Sequence, residues 1–392
     1  MLSTYYMDLH VHIGRTEAGQ SVKISGSKNL TFYNIAEEAS KRKGIHLIGI
    51  VDGHSPGVLA EVEHYIQKGQ MYELPEGGIR YGDTTILLGS EIEVRDPGMG
   101  PAHLLAFFPK LVNMRAFSAW MSLHMKNIHL SSQRIYVTAK VLQDVVQSHG
   151  GMMIPAHIFS PHRSIYGSCS DRMADLLHLD TLAAVELGLS ADTRMANQLS
   201  ELDRFQFVTN SDAHSLSKIA REYNAVRLAE PNYEEVLQAL AGKNGRTIEA
   251  NYGLNPLLGK YYRTYCSNCS ETMEEGQITV AKCTYCGSNK IVRGVWDRIQ
   301  SIADREYGGT SVVERQPYHY QVPLEFIQGF GARLLDRLIA ELGTEMFILH
   351  HAAIADISHI AGEKIANQMM AARSGELQLK AGGGGFYGRV SL

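Results

Sequence analysis

Six short polar motifs in this chain carry the side chains that hold divalent metal ions in proteins. Imidazole and carboxylate ligands together suit zinc, manganese or iron, and a carboxylate such as Glu91 can bridge two ions that share a hydroxide. The motifs are Asp8-Leu-His10-Val-His12, Asp52-Gly-His54, Gly-Ser-Glu91, His103, Ala156-His157 and Ser-Asp212-Ala-His214. Such a set predicts metal-assisted hydrolysis.

The spacing within two of the motifs favours ligation. His10 and His12 are two residues apart, as are Asp212 and His214, so each pair points to one side if its segment is a β-strand. A single histidine such as His103 is more often structural, so the prediction depends on the joint occurrence of the motifs. Six of the 17 histidines fall within them.

The hydrophobic pattern of the first 250 residues indicates which elements could gather these motifs. Short apolar runs alternate with amphipathic stretches, as in an α/β domain. Strands are predicted at 5–12, 46–52, 85–94, 103–108, 152–158, 183–187, 205–210 and 225–228, and helices at 33–43, 59–68, 138–148, 194–202 and 233–240. About seven such units favour a distorted (β/α)7-type barrel over 1–252, with an open doubly wound sheet as the alternative. In a parallel barrel the carboxyl ends of the strands converge on one face, which would bring the motifs together.

Four of the five cysteines form two C-x-x-C pairs, Cys266 with Cys269 and Cys283 with Cys286. Four thiolates complete a tetrahedral zinc shell and leave no position open for chemistry. We therefore expect one structural zinc in a small ribbon at 255–294. Such modules contact nucleic acid or protein, which leaves replication or repair proteins open as partners.

The remaining segment, 295–392, has a helical pattern with two turns that resemble helix-hairpin-helix motifs. Gly329 and Gly331 lie in the first turn, and Gly362 and Lys364 lie in the second. Glycines let backbone amides at a helix N-terminus approach a phosphate, which would position DNA without reading its sequence. The alternative is an ordinary helical bundle with glycine at helix ends.

Composition limits the kind of partner. The formal net charge is −4, so DNA binding would have to use local patches and backbone donors rather than a generally basic surface. No apolar run approaches the length of a membrane span, and the N-terminus lacks the pattern of a signal peptide. These features predict a cytoplasmic protein without membrane contact.

The motif set resembles the polymerase and histidinol phosphatase (PHP) family of metallophosphoesterases. The resemblance implies two or three divalent ions, which could be Zn, Mn, Mg or Fe. Gly53 separates Asp52 from His54 where the family has Asp-His, and no His or Asp follows shortly after the first motif. The first ion would be held by His10, His12, Glu91 and Asp212, the second by Glu91, His103 and His157, and the third by His54 and His214.

With its cysteine pairs and helical end, the whole chain resembles the endonuclease Q family. That resemblance implies a DNA repair endonuclease that hydrolyses the phosphodiester 5′ to uracil, hypoxanthine, xanthine or an abasic site. A metal-bound hydroxide would attack, with Glu91, His157 and Asp212 as catalytic residues. The damaged nucleotide would be flipped out. The segment at 155–167 suggests a lesion pocket formed by Ser160, His162 and Tyr166.

Two alternatives have different functions. A small-molecule phosphatase similar to histidinol phosphatase would use the same metal site but would have little use for the cysteine module and the hairpins. A non-catalytic DNA-binding PHP module would have lost metal ligands, whereas this set is nearly complete. Hydrolysis of damaged DNA is therefore the leading prediction.

Overall fold

The structure, a computed structural model, describes residues 1–273, 282–309, 313–324, 327, 329–374, 378–380, 384, 386 and 389–391. Ten strands form the central sheet: β1 (Ser3–Val11), β2 (Leu47–Ile50), β3 (Tyr72–Glu73), β4 (Ile79–Tyr81), β5 (Thr84–Val94), β6 (Ala102–Phe108), β7 (Met152–Pro155), β10 (Tyr223–Leu228), β11 (Thr247–Gly253) and β14 (Tyr318–Tyr320). Three two-stranded ladders lie outside it: β8 (Val185–Glu186) with β9 (Phe207–Val208), β12 (Tyr265–Cys266) with β13 (Ile291–Val292), and β15 (Gln378–Lys380) with β16 (Arg389–Ser391).

The helices cover the sheet and make up most of the C-terminal region. They are α1 (Phe32–Glu37), α2 (Pro56–Gln67), α3 (Leu111–Ser122), α4 (Ala139–Ser148), α5 (Thr193–Ala196), α6 (Tyr233–Leu240), α7 (Val295–Ile302), α8 (Ala332–Leu342), α9 (Glu345–His350), α10 (Ile354–Ala361) and α11 (Glu363–Ser374). No helix among the described residues is long and apolar enough to span a membrane.

The order of strands mixes parallel and antiparallel neighbours. Along one path the order is β14-β11-β10-β1-β2-β5-β4-β3, and β6 pairs with both β5 and β7. β1, β2 and β5 are parallel, but β6 is antiparallel to β5 and to β7. The expectation of a mixed α/β fold around a central sheet is confirmed. The parallel arrangement expected of a barrel does not hold at β6, which is antiparallel to β5, or at β10, which is antiparallel to β1.

Backbone hydrogen bonds also link the two-stranded ladder β8–β9 to the sheet. The amide of Ala183 donates to Met153 (3.0 Å) before β8, and the amide of Ala213 donates to His10 (3.1 Å) after β9. Val11 and Ala213 form a parallel bridge. The chain that follows β9 therefore lies beside the end of β1, and this brings the first and last polar motifs together.

Packing explains why the strands stay in place. Residues 6–11 of β1 are buried on both faces, which is typical of a sheet covered by other elements. Met7 and Leu9 belong to one apolar cluster with residues of α6, whereas Tyr6 and Val11 belong to a second. Two apolar layers thus fix the register of the strand that carries His10.

The C-terminal region is attached to the central sheet by a strand. β14 pairs in parallel with β11, with Asn251 opposite Tyr318. Lys43 also forms a buried ion pair with Glu345 at the start of α9 (2.9 Å). The predicted third domain, 295–392, therefore contributes one strand to the sheet of the first.

Candidate metal centre

The polar motifs meet at one edge of the sheet, although not all at strand ends. His10 lies in β1 with His12 just after it, His157 follows β7, and Asp212 follows β9. Glu91 is inside β5, and His103 is the second residue of β6. Because β6 runs opposite to β5, its first residues lie beside the last residues of β5, with His103 opposite Glu93.

The first group of possible ligands consists of His10, His12, Asp212 and Glu91. The Nε2 atoms of His10 and His12 lie 3.6 and 3.4 Å from Oδ1 of Asp212, and 3.5 and 3.6 Å from the nearest oxygens of Glu91. Ligands about 2.0–2.1 Å from a zinc ion in a tetrahedron are roughly 3.4 Å apart. The measured spacings fit one ion of this size.

The second group consists of Glu91, His103 and His157. Oε1 of Glu91 lies 2.7 Å from Nδ1 of His103 and 3.3 Å from Nε2 of His157. The ligand atoms of the three residues all lie within 4.8 Å of one another. Since Glu91 also contacts the first group, its carboxylate can bridge two ions.

Buried nitrogens in both groups lack the partners that such atoms normally have. Nε2 of His103 and Nδ1 of His157 are buried and make no hydrogen bond among the described residues, while Nε2 of His10 and Nδ1 of His103 face Oε1 of Glu91 without hydrogen-bond geometry. Leaving a buried polar atom unpaired costs about 1–3 kcal/mol. Coordination of divalent cations would satisfy the nitrogens of the two groups that face the cluster, so the donor set fits such ions.

Two carboxylates that the predicted ligand set omitted orient the ligands from behind. Oε2 of Glu186 lies 3.0 Å from Nδ1 of His10, and Oδ2 of Asp52 lies 3.0 Å from Nδ1 of His12. A carboxylate at Nδ1 directs Nε2 toward a metal and raises its basicity. Asp52 could have been found from its motif. For Glu186 the only signal in the sequence was a carboxylate inside an otherwise apolar strand.

The electrostatics favour ionised carboxylates in the cluster. Burial alone would raise the pKa of Glu91, but the charges of His103 and Lys23 hold that pKa well below its usual value. Burial opposes ionisation of Asp52 as well, yet the charge and hydrogen bond of His12 lower its pKa to about 2.

The backbone is strained at two of the predicted ligands. His157 has φ +31° and Asp212 has φ +45°, a region that residues other than glycine rarely occupy. Gly188 is at φ +82°, and a Cβ there would lie 2.8 Å from Cβ of His157. Such strain, of about 1–3 kcal/mol per residue, clusters at functional sites.

The two predicted ligands of a third ion are placed differently. His214 adjoins the cluster, with Nε2 3.3 Å from Oδ1 of Asp212. His54 does not: it is 1% exposed, Nδ1 contacts the hydroxyl of Ser90 (2.8 Å), and Nε2 contacts the carbonyl of Leu130 (3.4 Å). The structure therefore does not bring His54 to the other ligands.

A cavity of about 950 Å³ opens over the cluster. Glu91, His103, His157 and Asp212 line its floor. Of the predicted lesion-pocket residues, Ser160 and His162 line its wall.

The third predicted pocket residue, Tyr166, is not part of the cavity wall. It is fully buried, its ring stacks on Phe159, and its hydroxyl donates to Glu201 (2.6 Å). Its large apolar ring is stabilised in the core with the hydroxyl paired, so the prediction that it forms the pocket does not match the geometry.

Comparison with known proteins identifies the family. No protein-family model matches the sequence. The Bacillus subtilis (strain 168) protein YqxK is 49% identical over 387 residues, which is 98% of each chain. The crystal structure of the lesion-specific endonuclease PfuEndoQ from Pyrococcus furiosus superposes with a TM-score of 0.84 at 30% identity, covering 100% of this chain and 96% of that one. The chain belongs to the endonuclease Q family.

A second endonuclease Q structure, a complex with a 27-mer duplex that carries an abasic lesion at the active site, has a TM-score of 0.85 at 30% identity and covers 100% of this chain and 97% of that one. Membership of the endonuclease Q family makes the chain an enzyme, a metal-dependent phosphodiesterase. The site described above contains the groups that such an enzyme needs.

The four cysteines of this endonuclease Q chain form a separate cluster. Sγ of Cys266 lies 3.7 Å from Sγ of Cys286, and Sγ of Cys269 lies 3.7 Å from Sγ of Cys283. Thiolates about 2.3 Å from a tetrahedral zinc are roughly 3.8 Å apart, whereas a disulfide would hold its sulfurs far closer. The donor set fits one zinc. Residues 274–281, which are part of the segment between the two pairs, lie outside the described part of the chain.

Two of the three glycines predicted to contact DNA lie at helix ends. Gly331 precedes α8, and Gly362 lies between α10 and α11 at φ +86°, where a Cβ would meet no other atom of the described residues within 4 Å. Lys364, in the first turn of α11, is exposed. Gly329 has φ +88°, and its neighbour Gln328 lies outside the described residues.

Proposed function

We propose that this protein is a DNA repair endonuclease that hydrolyses the phosphodiester 5′ to deaminated bases (uracil, hypoxanthine, xanthine) and to abasic sites. The observation that carries the proposal is the ligand cluster at the floor of a cavity of about 950 Å³ in an endonuclease Q fold. A related structure holds a duplex with an abasic lesion at its active site.

The cavity has the charge and size for a nucleotide. Its wall includes Arg163, Lys218 and Lys260, which can attract a phosphate backbone despite the net negative charge of the chain. Pockets for small ligands usually have about 300–1,000 Å³, so one flipped nucleotide fits. A mispaired base costs less to unstack than a paired one, which would favour lesions.

Ser160 and His162 are the proposed lesion-reading residues. Burial lowers the pKa of His162, and the charges of Lys260 and Arg163 lower it further, so its ring is neutral at pH 7. A neutral imidazole both donates and accepts, and a serine hydroxyl does the same. These groups can pair with the carbonyl and N–H that deamination creates on a base.

In the proposed reaction, two divalent ions would be held by Glu91, Asp212 and the four histidines His10, His12, His103 and His157. When bound, the ions would activate a water molecule and neutralise charge on the phosphoryl oxygens. Oxygen from water adds to phosphorus, and the P–O3′ bond breaks. O3′ gains a proton, which leaves a 3′-hydroxyl on one side and a 5′-phosphate on the lesion nucleotide.

We further propose that the architecture divides as the sequence predicted. A distorted seven-stranded PHP barrel at 1–252 would carry the active site, supported by the hydrogen bonds that connect β7, β8, β9 and β1. A zinc ribbon at 255–294 and hairpins in 295–392 would hold the duplex. The backbone amides at Gly331 and Gly362 and the ammonium of Lys364 would contact its phosphates.

The test uses end-labelled duplexes that contain one deoxyuridine, one deoxyinosine or one abasic site, with an undamaged duplex alongside. Incubation with Mg²⁺, Mn²⁺ or Zn²⁺ should give a single nick 5′ to the lesion, and a polymerase should extend the new 3′-hydroxyl. Asp212→Asn should abolish nicking. Asp180→Asn is the matched control, because Asp180 is 84% exposed and outside the cavity.

Two results would contradict the proposal. Hydrolysis of histidinol phosphate with all duplexes left intact would indicate a small-molecule phosphatase. Binding of the duplexes without hydrolysis, in wild type and Asp212→Asn alike, would indicate a module that only binds DNA.

A further inference from the structure

Lys23 lies inside the ligand cluster, although no metal-binding motif contains it. Its Nζ is 3.2 Å from Nε2 of His12, 3.3 Å from Oε2 of Glu91 and 2.6 Å from Oγ of Ser132. The side chain is 15% exposed, and it lines the cavity beside Glu91 and Asp212. An ammonium group therefore faces the position where a scissile phosphate would enter.

The loop after His12 is folded tightly so that Lys23 returns to the cluster. The amide of Lys23 donates to Ile13 (2.8 Å), and the amide of Val22 donates to Gly14 (3.0 Å). A Cβ on Gly14 would lie 2.1 Å from the carbonyl oxygen of Ser27. Only glycine fits this close approach, so the backbone fixes the position of Lys23.

A second loop holds the lysine from the other side. Ser132, at φ +54°, contacts both Nζ of Lys23 and the carboxylate of Glu91, and the amide of Ser131 donates to Val22 (3.0 Å). Oε1 of Glu91 faces His103 and His157, whereas Oε2 faces both Nε2 of His12 and Nζ of Lys23. The ammonium of Lys23 therefore lies beside the first group of ligands and in contact with the carboxylate that both groups share.

The described residues do not complete a ligand set for a third ion. Of the two histidines predicted for it, His54 faces Ser90 and Leu130, and only His214 adjoins Asp212. Lys23 supplies a positive charge beside His12, on the same side of the cluster as His214, whose ring lies 4.8 Å from that of His12.

We propose that Lys23 is a third positively charged group beside the two ions of the proposed reaction and that it donates a hydrogen bond to a non-bridging oxygen of the scissile phosphodiester. This rests on the proposed hydrolysis of phosphodiesters at the cluster. In the transition state, water oxygen bonds to phosphorus while the P–O3′ bond breaks, and the phosphoryl oxygens gain negative charge. The ammonium stabilises that charge and keeps its own protons.

The test replaces Lys23 by Met, which has similar length and no charge, and by Gln as a polar second variant. Lys28→Met is the matched control, since Lys28 is exposed in the same loop and outside the cavity. Each protein is assayed with bis(p-nitrophenyl) phosphate and with the lesion duplexes. Metal content is measured by mass spectrometry, and folding by thermal denaturation.

We expect kcat to fall about 10²–10³-fold in both Lys23 variants, as for loss of one oxyanion donor, with KM and metal content unchanged. Wild type and Lys28→Met should hold two ions in the cluster plus the zinc of the cysteines. A kcat within threefold of wild type in either folded Lys23 variant would overturn the proposal. The proposal would also be overturned if the Lys23 variants lost bound ions and excess metal restored their activity. Lys23 would then act only by positioning Glu91 as a metal ligand.

The two substrates separate this inference from the proposed function. If wild type hydrolyses the small diester but no lesion duplex, the DNA repair proposal fails and the role of Lys23 is still decided by the small diester. If wild type holds three ions in the cluster besides the cysteine zinc, the inference fails whatever DNA is cleaved.

Discussion

Glu186 should control how tightly divalent ions bind to the ligand cluster, although it is not placed to coordinate them. Its carboxylate lies 3.0 and 3.2 Å from Nδ1 of His10, and the side-chain amide of Asn210 donates to it (3.2 Å). Both Glu186 and His10 are almost fully buried. Glu186→Gln keeps the shape and removes the charge that makes Nε2 of His10 a stronger ligand.

The size of the effect follows from the role of such carboxylates. Removing a partner that orients a metal-bound histidine typically costs 10–100-fold in metal affinity, which is about 1.4–2.7 kcal/mol. Because Glu186 and His10 are buried, little water is present to compensate for the lost charge. We therefore expect a loss of metal affinity in the upper part of that range. Glu235→Gln is the control, since Glu235 pairs with Arg246 far from the cluster.

The assay is competition with a chromophoric zinc chelator, and the cysteine zinc provides an internal reference. Glu186→Gln should release the ions of the ligand cluster at lower chelator concentration than wild type, while one zinc per chain stays bound to the cysteines. Equal chelator midpoints for the cluster ions in wild type and variant would refute the reasoning. An equal loss from both sites would point to unfolding instead.

Three further predictions concern other parts of the chain. Cys269→Ser should remove one zinc per chain, measured by mass spectrometry, because three thiolates no longer close the shell, while the ions of the ligand cluster remain. Gly188→Ala should lower stability by about 1–2 kcal/mol, seen in urea unfolding, and reduce the affinity for metal, since its methyl group meets His157 at a left-handed backbone position. His350, which accepts from Tyr223 (2.8 Å), has its pKa lowered by burial to about 4. Below pH 6.5 the unfolded chain therefore binds more protons, so stability should fall by about 2 kcal/mol from pH 7 to pH 5, and His350→Gln should lack that part of the fall.

The sequence predicted most of the elements around the site because hydrophobic periodicity reports local burial. Every predicted strand of the first 228 residues corresponds to an observed strand, though β8 and β9 are two residues long. The pattern missed the short hairpin of β3 and β4, the seven-residue strand β11 and helix α3. It also missed that β14 joins the sheet beside β11, because pairing between distant segments leaves little trace in local periodicity.

The candidate ligands were predictable where their type and spacing are distinctive, and unpredictable where position depends on tertiary contacts. His10 and His12 are paired by alternation along β1, and the structure brings both to Asp212. His54 also lies two residues after another polar residue of its motif, in Asp52-Gly-His54, but its ring faces Ser90 instead of the ligand cluster. Lys23 sits in a loop whose path depends on contacts at Gly14, so nothing near it in the chain signals its place.

The direction of β6 is the feature on which the second group of possible ligands depends. β6 covers seven residues, roughly 20 Å of strand, with His103 near its start. If β6 ran parallel to β5, His103 would lie near the opposite edge of the sheet, and only Glu91 and His157 would remain for that ion. In the antiparallel register His103 lies opposite Glu93 and diagonal to Glu91, on the same face, and its Nδ1 reaches Oε1 of Glu91 at 2.7 Å. His103 is at the start of its strand but lies where a residue at the end of a parallel strand would lie, because reversing the strand exchanges the positions of its two ends.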